Sequence, residues 1–393
     1  MTNSAEEQTL DQHQLKPKAS VTAATWWREP SLLEVLLLAL MVSIIFVAMI
    51  ATLDDYAARA AQAGDNRVYA SLSSVIRQRN LSAAPVTPQF WGLPYLAALV
   101  AAATSASDTT AIVLISIVAS FVSIALAHRL WGGWVAAFFA IISWDWIQRS
   151  LLGGAEPLFV TCLFGAFLAA RSKRWLTAAL LASLGTTVRP LGLLALVALA
   201  VVLAWRREFR TLALAVAVGL VVGGCYVLPL ALAFGSPLAN VQAYRMGDWA
   251  GQSPISWPLL SVVRGLVSNS SEPLANILKI GAWAAFTLAG VVAMIGTERF
   301  RQFARAHRME AVFAALYLLF LFSYNSPRWN WAEFPRFVVP VVPFLLIALN
   351  NWLPKHRAVL WGVGALSALL AAASAINVRH AWQELGRLFG VGG

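Results

Sequence analysis

Residues 31–53 read SLLEVLLLALMVSIIFVAMIATL, an unbroken apolar block whose one charged residue, Glu34, stands near its start. As a helix it is about 34 Å long, enough to cross the ~30 Å hydrocarbon layer of a bilayer. Lipid offers no partner for backbone N–H and C=O groups, so such a block must be a helix. Leu, Ile, Val and Ala follow one another without two-residue alternation, which argues against a membrane barrel. The block is too long for a signal peptide and lacks a small-residue cleavage site, so a retained helix is expected.

Similar blocks recur along the chain. Spans are predicted at roughly 31–53, 109–127, 133–148, 157–170, 175–188, 191–204, 211–234, 275–296, 310–323, 337–352 and 358–376. The shortest need neighbouring helices or a thin bilayer. The expected fold class is all-α: a polytopic membrane protein with about 11 transmembrane helices and termini on opposite sides. Only 12% of residues are charged, about half the share of a soluble domain. Residues 1–30 are polar and are expected to form a disordered cytoplasmic tail, with 31–393 a single transmembrane domain.

The formal net charge of +11 does not signal nucleic acid. Its Arg residues sit at the ends of apolar blocks, where anionic lipid and the positive-inside rule place them. No basic stripe with interleaved aromatics is present. Cys162 and Cys225 fall inside apolar blocks and read as small core residues.

With the N-terminus cytoplasmic, the clusters Arg171/Lys173/Arg174, Arg206/Arg207/Arg210, Arg299/Arg301/Arg305/Arg308 and Lys355/Arg357 all fall on the inside. Two long segments, 54–108 and 235–274, then lie outside. Loops of that length are functional or disordered. Tyr56, Tyr69, Phe90, Trp91, Trp249 and Trp257 predict that these are ordered. The apolar stretch 92–104 is expected to lie in the interface or re-enter.

Carboxylates are scarce, so their positions carry weight. Asp54, Asp55 and Asp65 stand in the first outer loop, Asp145 near the end of a span, and Glu156 at the mouth of the next. A carboxylate at the edge of hydrocarbon is a functional candidate by default. The plain alternatives are a solvated helix end for Asp54 and Asp55, and a charge favoured at a helix N-terminus for Glu156. Arg67, Arg149, Arg189, Arg245, Arg264, Arg328 and Arg336 share the outer side. Each either snorkels to lipid phosphate or clamps a ligand phosphate. No Ser/His/Asp set, His metal cluster or Walker loop assembles on that face. A base there has to be a carboxylate.

The stretch Gly64-Asp65-Asn66-Arg67-Val68-Tyr69-Ala70-Ser71-Leu72, then Phe90-Trp91-Gly92-Leu93-Pro94-Tyr95, resembles the first-loop motifs of the GT-C class of membrane glycosyltransferases, which use polyprenyl-phosphate sugars. Glu156-Pro157-Leu158-Phe159 is similar to their second acidic motif. Thr187-Val188-Arg189-Pro190-Leu191-Gly192 follows it, and Arg336-Phe337 with Pro340 and Pro343 resembles the run before a late helix. The nearest resemblance is to the second mannosyltransferase of glycosylphosphatidylinositol assembly and its bacterial homologues. Gly64 stands where that family has Trp.

The resemblance implies a GT-C fold whose large first external loop bears juxtamembrane helices. It implies transfer of a mannose-like sugar from a polyprenyl-phosphate donor to a hydroxyl of a lipid or glycan acceptor, with inversion. Asp65 is the expected base and Asp55 the substitute, with Glu156 binding the acceptor or positioning the base. Arg189, Arg336 and Arg67 are expected at the donor phosphate, and Tyr69, Trp91 and Tyr95 along the substrate groove, with packing inside the loop the alternative role for Tyr69 and Trp91. No cofactor is required, while a divalent ion shared by Asp65 and Glu156 stays open. The expected setting is the bacterial inner membrane with the site on the periplasmic side. A transporter or flippase for a lipid-linked substrate is the alternative, although no internal repeat is visible.

Overall fold

The computed structural model describes residues 28–247, 255–260, 262–264, 274–325 and 333–376. Most of the expected tail (residues 1–27), Trp249 and Arg328 lie outside these. In the described part the chain is helical, and its one β feature is an isolated bridge between Ile255 and Tyr324.

Helix α1 (Leu32–Leu53) starts on a capping box: Glu34 N donates to Ser31 Oγ at 3.3 Å, and Ser31 N donates to Glu34 Oε2 at 2.8 Å. The first outer segment then folds into short helices α2 (Tyr56–Gln62), α3 (Asn66–Arg77) and α4 (Gly92–Thr104). Helices α5 (Asp108–Trp131), α6 (Gly133–Ile141), α7 (Trp144–Leu151) and α8 (Glu156–Arg171) follow. Beyond them come α9 (Trp175–Val188), α10 (Leu193–Trp205), α11 (Phe209–Phe234) and α12 (Ala239–Gly247). The last described elements are α13 (Leu274–Gly296), α14 (Glu298–Ala306), α15 (Arg308–Ser323), α16 (Phe334–Val338), α17 (Val342–Ala348) and α18 (Arg357–Ala375).

Five of these helices are long and apolar enough to cross a membrane, and seven spans result if each sharply bent pair counts as one. Four shorter apolar helices complete the set among the described residues, and the count of eleven spans is not confirmed by helix length and apolarity alone. The predicted span 133–148 is two helices, α6 and α7, parted at Ile142-Ser143. There Ser143 accepts from Trp146 N at 3.1 Å and starts a new helix. α7 and α8 in turn meet at 104°, and α14 and α15 at 116°. Hydropathy averaged over a window cannot see a cap inside an apolar run.

Lipid-facing and protein-facing sides are distinct. Leu220 and Leu232 on α11 are 72% and 75% exposed, a surface that water would not tolerate and lipid does. Inside, the buried rings of Phe164, Phe167, Phe313 and Phe344 form an aromatic cluster with the half-buried Trp131, whose ring centroid is 4.7 Å from that of Phe164. α8 and α9 approach closely because Ala178, Ala179, Ala182 and Gly185 line the seam.

Candidate active site

The loop carrying Asp65 is fixed by its neighbours. Gly64 has φ +51°, and a Cβ there would run into the Arg149 guanidinium, so glycine alone fits. The next residue, Asn66, is buried and donates from Nδ2 to Ala60 O at 2.8 Å and to Leu152 O at 2.7 Å. That clamps the start of α3 onto the bend between α7 and α8. The bend itself turns on Gly153 at φ +94° and is held by Ser116 Oγ, which donates to Gly154 O at 2.9 Å. Asp65 occupies the N-cap position of α3 without capping it through its side chain, so its carboxylate turns elsewhere.

It turns to Arg336. Arg336 Nη2 donates to Asp65 Oδ2 at 2.7 Å, and Gln89 Nε2 donates to Asp65 Oδ1 at 3.0 Å. The same guanidinium donates from Nη1 to Glu333 Oε2 at 2.7 Å and from Nε to Glu156 Oε1. Arg189 Nη2 reaches that Glu156 oxygen from the other side, and Arg149 lies 3.7 Å from Glu333. Three guanidiniums thus face three carboxylates, and the cluster is formally neutral.

Sequence sets each arginine in place. Arg189 precedes Pro190, which forces it into extended backbone at φ −144° and ends α9 there. Arg336 rides on α16, a short helix with Pro335 in its first turn, three residues after Glu333. Both guanidiniums also lie over the Phe337 ring, at 5.4 and 5.6 Å.

Burial alone would raise the Asp65 carboxyl. The Arg336 and Arg149 charges, with hydrogen bonds from Arg336 and Gln89, outweigh it and hold the group well below its usual range. Glu333 follows the same logic: burial opposes ionisation, Arg336 and Arg149 favour it, and the value falls. Burial, with Asp65 beside it, pushes the Tyr69 hydroxyl well up, so that it stays a donor.

A cavity of about 260 Å³ opens against this cluster. Asp65, Tyr69, Gln89, Arg189, Glu333 and Arg336 supply its polar wall, and Phe90, Tyr244, Tyr324 and Phe337 its aromatic one. Glu156 is not at the cavity. At 3% exposure it sits behind Arg189 and Arg336 and anchors both.

The structure therefore brings Asp65, Tyr69, Arg189 and Arg336 to one cavity, with Glu156 behind them, and leaves other sequence candidates outside. Asp55 caps α2, accepting from Ala57 N at 2.9 Å and Ala58 N at 3.1 Å, so its carboxylate is engaged in local structure. Arg67 is exposed on α3 and does not line the cavity. Trp91 is fully buried in a separate apolar cluster with Leu72, Ala84 and Leu230, and Tyr95 packs against its ring. Phe90, one residue earlier, lines the cavity instead and stacks on Tyr226.

Sequence reading missed Glu333 and Gln89. The one local signal for Glu333 is its i, i+3 spacing to Arg336 at a proline-marked helix start. Among the described residues no group of three metal-ligating side chains is close enough to hold an ion. Arg336 bridges Asp65 and Glu156, so a cation shared by those two has to displace it.

The chain is similar in fold to ArnT from Cupriavidus metallidurans bound to undecaprenyl phosphate, with a TM-score of 0.50 at 16% identity over 90% of this chain and 62% of that one. ArnT in the apo state also aligns, with a TM-score of 0.46 at 16% identity over 88% of this chain and 61% of that one. The chain thus spans a little over three fifths of the length of the protein it matches. The architecture is that of the GT-C fold. No protein-family model and no curated protein matches the chain.

Proposed function

We propose that this protein is an integral-membrane glycosyltransferase that moves a sugar, mannose-like by the sequence motifs, from a polyprenyl-phosphate donor to a hydroxyl of a lipid or glycan acceptor. One observation carries the reading: a carboxylate, Asp65, and two guanidiniums, Arg189 and Arg336, from segments far apart in sequence meet at a single cavity. The solved neighbour that holds undecaprenyl phosphate supports the donor class.

A sugar on lipid phosphate already has a good leaving group, so a general acid is unnecessary. The acceptor oxygen forms a bond to the anomeric carbon as the bond from that carbon to the phosphate oxygen breaks on the opposite face, with inversion. Asp65 takes the acceptor proton. The electron pair leaves with the phosphate, whose growing charge the guanidiniums stabilise.

Arg189 is the better-prepared phosphate ligand, because its Nε is buried and carries no hydrogen bond. Arg336 has Nε, Nη1 and Nη2 all committed to carboxylates, so it reaches the phosphate by exchanging one of them. If that one is Asp65, donor binding itself frees the base. In this reading Glu156 positions both arginines. The reading requires no cofactor, and a divalent ion shared by Asp65 and Glu156 stays open to a test with added chelator. The setting proposed is the bacterial inner membrane, with the cavity at the periplasmic side.

The test is incubation of purified protein with labelled polyprenyl-phosphate sugars and candidate acceptors. Label transferred to an acceptor is the expected result. Binding of such lipids with no turnover on any acceptor would favour a flippase or transporter instead.

A further inference from the structure

The opposite end of α8 carries a second polar cluster that the transfer reaction does not use. Glu156 and Arg171 are the first and last residues of this helix, about 22 Å apart along its axis. At the far end Glu310 is buried, and Arg171 closes on it from two nitrogens, Nε at 2.6 Å and Nη2 at 2.8 Å. Trp131 Nε1 donates to Glu310 Oε2 at 2.9 Å, and Arg171 Nη1 donates to Leu130 O at 2.6 Å. Glu310 is thereby spent on Arg171.

The cavity beside this pair, about 270 Å³, has Lys173, Arg206 and Arg308 on its walls together with His307. Among the described residues no carboxylate lies within ion-pair distance of those three cations. Two are held by indoles: the Arg206 guanidinium lies 5.2 Å from the Trp175 ring centroid and that of Arg308 4.7 Å from the Trp205 centroid. Stacking of this kind orients a guanidinium while leaving its N–H edge open. Lys173 takes a left-handed backbone, φ +56°, at a helix end where glycine fits without strain. A cation is kept there against a backbone preference. Trp175 and Trp205 mark the interfacial depth at which lipid headgroups lie.

We infer that this cavity binds the phosphate of an anionic lipid headgroup, on the face that the distribution of Lys and Arg assigns to the cytoplasm. Three uncompensated cations with two oriented N–H edges suit a phosphodiester, and the position between α9, α10 and α15 suits a molecule whose chains stay in the bilayer. The site stands independently of the transfer reaction.

The experiment uses the purified full chain, stripped of lipid in detergent. It is titrated separately with phosphatidylglycerol, phosphatidylcholine and inorganic phosphate, and occupancy is read by native mass spectrometry with thermal shift as a second readout. The variant combines Lys173→Gly, which relieves backbone strain while removing charge, with Arg206→Gln and Arg308→Gln. Its lipid-free unfolding midpoint, compared with that of the wild type, reports folding.

Wild type should retain phosphatidylglycerol in preference to phosphatidylcholine. The variant should bind it about a hundredfold more weakly, at about fivefold per lost charge. Equal phosphatidylglycerol binding by a folded variant overturns the site. Displacement of phosphatidylglycerol by an equal concentration of inorganic phosphate overturns the lipid as its source.

Discussion

Arg336 Nη2 donates to Asp65 Oδ2 at 2.7 Å, joining residues 271 positions apart in the chain. The bond ties Asp65 into a branched network of charges centred on Arg336, in which every carboxylate at the cavity is shared with an arginine. Glu156, which joins Arg336 to Arg189, is less exposed than either: its side chain is 4% exposed against 7% for Arg336 and 12% for Arg189.

Glu156→Gln should therefore act on folding as well as on activity. Removing it leaves the buried Arg336 and the half-buried Arg189 short of a charge, and breaking a buried pair costs about 3–5 kcal/mol. Chemical unfolding in detergent should show a loss of that size. A comparable loss should be absent from Arg67→Gln, which alters an exposed side chain away from the cavity.

Acid should weaken the same network. Asp65 and Glu333 both have folded values below their ordinary 3.8 and 4.5. A lowered folded value means that the unfolded chain takes up protons first, so the network's contribution is full above about pH 5 and fades as pH falls through the folded values. Thermal midpoints measured from neutral pH downward should hold to about pH 5 and then decline. Asp65→Asn should flatten part of that decline.

Asp55→Ala should separate the two acidic loop residues. It removes the cap of α2, a change worth about 1 kcal/mol of stability, and leaves the cavity untouched. Sugar transfer by this variant should remain close to wild type, measured in the same assay that tests Asp65.

Gly64→Ala probes the loop geometry. The added methyl meets the Arg149 guanidinium and an unfavourable φ of +51°, so Asp65 shifts relative to Arg336. A misplacement of about 1 Å at a reacting group costs on the order of a hundredfold in rate. Turnover should fall by that order with donor binding largely kept.

Much of this was legible in the chain, and the failures have physical causes. Segment 31–53 announced a membrane helix by length and apolarity alone, and Arg189-Pro190 fell at the break between the predicted spans 175–188 and 191–204, where α9 ends. Gly64 looked like a departure from the resembling family; in the structure its missing side chain is what admits Arg149. Asp55 and Asp65 were inseparable in sequence because both stand just before a short helix. Only the structure shows that one carboxylate caps its helix and the other does not. Glu333 escaped notice because its meaning depends on Arg149 and Arg336 meeting across the fold. For Trp91 the sequence left a groove role and packing side by side; burial in its own apolar cluster gives packing, and Phe90 faces the cavity. The break at Ile142-Ser143 was hidden inside an apolar run, and with it the true boundary of that span, whereas the break at Leu152–Ala155 fell between two predicted spans.

The most direct test compares wild type and Asp65→Asn for two quantities in one preparation: binding of a labelled polyprenyl-phosphate sugar and its transfer to acceptor. The variant should fold and bind donor, since Arg189 and Glu156 are unchanged, while transfer drops by about two to four orders of magnitude. Transfer at the wild-type rate in the variant would contradict the assignment of Asp65 as the base.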